Sequence, residues 1–124
     1  MFSLVLKAFW RLIYFDVYLT RENFGALHAK VHSYPIQDMP WDLAAIVQIS
    51  SAVDTACIWY FRHALCLQRS AATICLMRDR GIPAQLVLGS LLVPFRAHAW
   101  VEVEGRVVND KPYMREIYAV IDRC

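Results

Sequence analysis

The chain has 124 residues, of which 58% are hydrophobic and 19% charged, with a formal net charge of +2. That length suits one domain with a buried core, and the apolar balance points to a surface kept for a partner. With no long basic run there is no electrostatic case for nucleic acid, and with no glycine-rich phosphate loop there is none for a nucleotide site.

Residues 1–19 read as an apolar helix interrupted by Lys7, Arg11 and Asp16. Those charges argue against a membrane span, which needs roughly 18 consecutive apolar residues. The order of charge, apolar stretch and small-residue site that marks a signal peptide is absent too. Lys7, Arg11, Tyr14 and Tyr18 make a narrow polar stripe at helical spacing. The leading reading is a helix packed into its own core; a docking surface comes second and peripheral membrane contact third.

His28 to Met39 has no clear period and reads as a connection or short helix. Asp38 and Pro40 then mark a helix start. Leu43, Ile46, Val47, Ser50, Cys57, Ile58 and Phe61 are expected on one side of that helix, with Asp54 beside them, read first as a buried, hydrogen-bonded structural carboxylate and second as part of the site. The next helix runs from Cys66 to Arg80. Arg78 and Arg80 suit its C-terminal end, Gly81 the left-handed position after it, and Pro83 prevents continuation. No Ser, Thr, Asp or Asn immediately precedes Cys66. That is odd for a structural helix start and less odd where the first turn keeps its N–H groups for a reacting group.

Residues 84–92 read as a buried strand ended by Pro94, with Gly89 marking a bulge or a close approach. Strands at 97–102 and 106–110 follow, and residues 117–121 offer another. Helices first and an antiparallel sheet after them predict an α+β fold, with N-terminal helices packed on a C-terminal sheet. The whole of 1–124 is taken as a single domain, helical over 1–62 and carrying its reactive core over 63–124.

Cys57, Cys66, Cys75 and Cys124 have no zinc-like spacing with one another or with a histidine. They read as free thiols of a reducing cytoplasm, Cys57 and Cys75 being small buried hydrophobes. Cys66 differs because it opens a helix, where aligned peptide dipoles favour a thiolate. His98 lies on a strand and Asp110 ends the next one. A thiol, an imidazole to take its proton and a carboxylate to orient the ring are the components of nucleophilic amide cleavage. The Cys66 N–H is the expected first oxyanion donor; Gln68, two residues into the helix, points the wrong way. Trp100 shares the His98 face as pocket wall or core, Glu102 lies there as well, and Arg96 reads as solvated. His28, His32 and His63 read as ordinary core or surface histidines.

The hairpin between the two strands gives a sharper expectation. A two-residue turn at Glu104-Gly105 would pair Val103 with Arg106 and leave His98 and Asp110 on opposite faces. A three-residue loop, Val103-Glu104-Gly105, pairs Glu102 with Arg106 and sets His98 directly opposite Asp110. The odd-length loop is therefore predicted, and the same parity excludes Asn109 as the third member.

Two stretches carry a resemblance. Cys-Leu-Gln-Arg-Ser-Ala-Ala through Arg-Gly-Ile-Pro-Ala, and then Pro-Phe-Arg-Ala-His-Ala-Trp-Val-Glu-Val-Glu-Gly-Arg-Val-Val-Asn-Asp, resemble the leader peptidases of lasso peptide biosynthesis. These belong to the transglutaminase-like, papain-related cysteine proteases. The likeness is dense from Cys66 to Asp110, weak through Tyr118 to Arg123, and loose over residues 1–62. It implies Cys66 as nucleophile, His98 as general base and acid, and Asp110 as the orienting residue, with no metal and no cofactor. It implies a precursor (leader) peptide as substrate. It also implies a split form served by a small leader-recognition protein in trans, and an ATP-dependent cyclase that takes the product. Two rival readings are an acyltransferase that passes the thioester to an amine and a non-catalytic peptide-binding scaffold.

Overall fold

A computed structural model describes residues 2–21, 24–60, 66–92 and 95–124. In chain order the elements are α1 (Phe2–Arg21), α2 (Phe24–Ser33), α3 (Leu43–Trp59), α4 (Cys66–Asp79), β1 (Ala84–Leu92), β2 (Phe95–Val103), β3 (Arg106–Val107), α5 (Met114–Ile117) and β4 (Ala119–Arg123). The strands form one antiparallel sheet in the order β3-β2-β1-β4. The expected α+β order is what the chain adopts. No helix among the described residues is long and apolar enough to cross a membrane.

The core is built around α4. Gln68 and every residue from Ser70 to Arg78 are buried, because α4 packs on β1 and β2 while α1 and α3 pack on it. A helix buried on all sides must satisfy each of its polar groups internally. Ser70 Oγ donates to the Ala99 carbonyl at 3.2 Å, and Thr73 Oγ1 to the Arg69 carbonyl at 2.8 Å. Gln68 Nε2 donates to Asp16 Oδ1 at 2.9 Å, so Asp16 serves as a polar anchor inside the apolar α1. Arg78 does more than complement the helix end. Its guanidinium reaches the carbonyls of Val31, Tyr34, Ala84 and Cys124, locking α2, the start of β1 and the end of β4 to one another.

Helix α1 turns Leu4, Ala8, Leu12 and Phe15 into the core, as the leading reading had it. Arg11 of its polar stripe donates to Tyr34 at 2.8 Å and pairs with Asp79. Burial and the bond to Asp79 together push the Tyr34 hydroxyl up to about 12. The opposite face keeps Leu6, Trp10, Tyr14 and Val17 exposed.

Helix α3 departs from expectation. Its cap is Asp42, whose side chain accepts from the Ala45 N–H, not Asp38 or Pro40. Its buried face is Ile46, Ile49, Ala52, Val53 and Ala56, whereas Leu43, Val47 and Ile58 are exposed. Large apolar residues on both faces of α3 blur the period from which a buried face would be chosen. Asp54 is exposed and pairs with Arg69 at 2.9 Å, and Cys57 is only half-buried. Phe61 and His63 lie outside the described residues. The stretch from His28, read as a connection or short helix, begins inside a regular helix, α2, which runs from Phe24 to Ser33. Gly81 takes φ +82° after α4, as expected.

Strand β1 has the expected limits, and Gly89 is both features proposed for it. The β1–β4 register slips between Leu88 and Gly89. A methyl group on Gly89 would also stand 2.7 Å from the Trp100 ring and 2.8 Å from Tyr118 Cβ. The hairpin, however, is not the odd-length loop. Val103 pairs with Arg106 and Glu102 with Val107, and Glu104 and Gly105 both have positive φ, 51° and 81°. That is the mirror-image two-residue turn whose twist suits a hairpin.

Candidate active site

The two-residue turn should have separated His98 from Asp110, yet His98 Nε2 lies 2.7 Å from Asp110 Oδ2. The strand ladder explains it. Val108 N still donates to the Val101 carbonyl at 2.9 Å, but the ladder stops there. Val101 N donates instead to Asn109 Oδ1 at 2.7 Å. The Val108 carbonyl turns away to accept from Ser50 Oγ. Asn109 Nδ2 donates to Ser70 Oγ at 3.1 Å, and the Asn109 carbonyl accepts from Arg69 at 2.8 Å. A side chain thus replaces backbone as the partner of β2. The main chain peels off the sheet, and Asp110 swings round to the face that carries His98. Asn109, set aside on parity, holds the divergence without touching the ring.

The imidazole is fixed on three sides. Asp110 accepts from Nε2, which leaves Nδ1 as the nitrogen that carries the lone pair in the neutral ring. Tyr118 stacks on the ring with centroids 5.3 Å apart and planes 20° apart, and Trp100 flanks it at 6.1 Å. Trp100 is fully buried, packed with Val87 and Met114. Its indole N–H donates to Glu102 Oε2 at 2.9 Å. Glu102, itself buried, is also neutralised by Arg123 at 3.6 Å and Arg115 at 3.8 Å. Tyr118 carried no signal in the sequence, because it lies between two short elements that only the fold brings over β2. Arg96 is exposed, as expected.

Burial would raise the Asp110 carboxyl. The hydrogen bonds from His98 and from the Lys111 N–H, with the charges of His98 and Arg69, outweigh it and hold the group below its ordinary range. The Lys111 N–H meets Oδ1 at 2.8 Å, so each carboxylate oxygen has its own donor and the group cannot rotate away from the ring.

Cys66 is the first residue of α4, and it is half-buried. It lines a cavity of about 390 Å³ together with His98, Leu67, Leu88, Gly89, Ala97 and Ala99; the exposed Phe24 and Ile121 also contribute. Apart from the thiol and the imidazole, the lining side chains are apolar. The Gln68 amide donates to Asp16, and Gln68 is not among the residues that line the cavity. Cys75 is fully buried mid-helix, and burial pushes its thiol up to about 11. Burial also raises the thiols of Cys57 and Cys124.

The family model of the transglutaminase-like superfamily matches residues 11–123. The chain belongs to that superfamily. It is also 46% identical over 56 residues to the microcin J25-processing protein McjB of Escherichia coli. That match takes in 45% of this chain and 27% of the relative, so the chain corresponds to only part of the relative's length. No solved structure matches. Superfamily membership agrees with the fold seen here, a helix that opens on a cysteine packed against an antiparallel sheet.

Proposed function

We propose that this chain is a cysteine endopeptidase that removes the leader from a lasso peptide precursor. The observation that carries the reading is the ordered His98–Asp110 pair, whose imidazole lines a cavity that Cys66, at the start of α4, lines as well. The relative named for processing microcin J25 supplies the substrate class.

In this mechanism His98 Nδ1 takes the proton of Cys66, and the thiolate attacks the scissile carbonyl carbon. The developing oxyanion is met by the Cys66 N–H, which has no partner within the helix because it lies in the first turn. Protonated His98 gives its proton to the leaving nitrogen, which departs as the new amino terminus of the core peptide. A water then attacks the thioester carbonyl, losing its proton to His98, and the leader leaves with a free carboxylate while Cys66 regains its thiol. Asp110 stays ionised throughout and holds the ring in the Nε2–H tautomer. The apolar cavity keeps bulk water from the thioester until the leaving peptide has gone.

The test uses a panel of lasso precursor peptides, each with its leader-recognition protein, and mass spectrometry of the products. Two fragments at one peptide bond are expected, and Cys66→Ala should lower the rate by about a thousandfold or more. Cleavage by Cys66→Ala at the parent rate removes the reading. Superfamily membership also favours a second reading, acyl transfer to an amine. A conjugate in place of two fragments would establish it.

A further inference from the structure

A second set of chemistry-bearing side chains lies outside the cleft. His28 of α2 faces Asp122 of β4, with His28 Nε2 2.5 Å from Asp122 Oδ2. Cys124 stands beside them, and the three donor atoms all lie within 4.8 Å of one another. Asp122 and Cys124 are two residues apart at the end of β4, so both point to the same face of the sheet. Arg123 between them points to the other face and pairs with Glu102. The residue types match those of the cleft, but the setting does not suit nucleophilic chemistry. Cys124 sits in a strand ladder, its N–H and carbonyl both bonded to Leu86 at 2.9 Å. No helix terminus activates its thiol.

We propose that His28, Asp122 and Cys124 form a three-ligand site for a zinc ion that ties α2 to β4. Nitrogen, oxygen and sulfur from these side chains are the donors zinc prefers, and three protein ligands leave a fourth position for water. Zinc–nitrogen bonds of about 2.0 Å and zinc–sulfur bonds of about 2.3 Å place ligand atoms roughly 3.3–3.7 Å apart in a tetrahedron. The His28–Asp122 pair therefore opens by less than about 1 Å, and the thiol closes by at most about 1.5 Å. Half-exposed side chains accommodate this by rotation, since His28 and Asp122 are 29% and 44% exposed. The charges balance as well: one carboxylate and one thiolate neutralise the divalent ion, and the Cys124 proton passes to solvent on binding.

The backbone is already rigid where the ligands attach. Arg78 donates both to the Cys124 carbonyl at 2.8 Å and to the Val31 carbonyl near the end of α2. The two elements that carry the ligands are thus held at one spacing before any ion arrives, which is how outer partners raise the affinity of a metal site. The site adjoins the cleft through sequence neighbours. Phe24, one helical turn before His28, and Ile121, next to Asp122, both line the cavity of Cys66 and His98. The proposal does not depend on the peptidase reading.

Zinc is added to the metal-free full-length chain carrying Cys66→Ala, which removes the cleft thiol as a competing ligand. Calorimetry should show one ion per chain, with a rise of several degrees in Tm at about a hundred times Kd. Cobalt in place of zinc should give the near-ultraviolet absorption of a cobalt–thiolate bond. Adding Cys124→Ser should abolish that absorption. Loss of an outer partner alone costs about 10–100-fold in affinity, so His28→Gln should weaken zinc by at least that much. His28→Gln changes only a half-exposed side chain and reads the same site if Cys124→Ser fails to fold. Unchanged zinc affinity in His28→Gln, or loss of all binding in Cys66→Ala alone, overturns the proposal.

Discussion

Asn109→Ala tests how the site is assembled. In the parent chain Asn109 Oδ1 accepts the Val101 N–H at 2.7 Å and Nδ2 donates to Ser70 Oγ at 3.1 Å. Val101 is fully buried, so truncation leaves its N–H without the acceptor that now takes the place of strand backbone. An orphaned buried donor costs about 1–3 kcal/mol, and the lost amide–hydroxyl bond adds about 0.5–1.5 kcal/mol. Together they give a destabilisation of about 1.5–4.5 kcal/mol. For a domain of this size each kcal/mol moves Tm by about 3–6 °C, so a drop of at least about 4 °C is expected. Asn109→Asp keeps the acceptor for Val101 and loses only the donor to Ser70, so it should recover more than half of the loss. Urea unfolding of the three proteins measures the differences directly. Both variants falling within about 0.5 kcal/mol of the parent would refute the argument that this side chain ends the hairpin.

Three further outcomes follow from the same geometry. Glu104 is a non-glycine residue at φ 51° in a turn that needs two left-handed positions, so Glu104→Asn should stabilise the chain by about 0.5–1 kcal/mol, as read by thermal unfolding; a loss would favour the longer loop. Gly89→Ala drives a methyl into the Trp100 ring and Tyr118 and should cost about 1–3 kcal/mol in a denaturant titration, with a shifted near-ultraviolet dichroism of the aromatic cluster. The Asp110 carboxyl is held below its ordinary 3.8, so its stabilising share is complete above that value and is lost as pH falls through the folded value. Asp110→Asn should therefore flatten the acid limb of the stability curve below about pH 5 and leave no matching change at alkaline pH.

Local signals were legible where one residue type answers one backbone need. The limits of β1 and the left-handed Gly81 follow from turn and cap chemistry that acts within a few residues. The buried face of α3 was not legible, since Leu43, Val47 and Ile58 are as apolar as the residues that won the core. Arg78 was read as a cation suited to a helix end, but its four carbonyl partners come from α2, β1 and β4 and exist only after folding. Tyr118 and the His28–Asp122 contact fail to show for the same reason, the latter joining residues 94 positions apart.

The pairing of His98 with Asp110 is the instructive case, because the expected contact formed while its expected cause did not. Parity sets the two side chains on opposite faces only while β3 continues as a strand to residue 110, since in an uninterrupted ladder a one-residue slip moves every side chain to the other face. The chain meets that constraint by ending the ladder early. After Val107 the regular pairing is given up, and one amide side chain takes over the hydrogen bond of the strand it replaces. This frees the turn to adopt the tight two-residue form that suits strand twist, while the chain beyond Val108 is free to rotate. It also couples the His98–Asp110 pair to α4. The atoms that hold Asn109 belong to Arg69 and Ser70, three and four residues after Cys66. The helix that presents the thiol therefore also anchors the segment that presents the carboxylate. A shift of α4 would move both in the same direction, while the imidazole that meets the carboxylate is held by Trp100 and Tyr118.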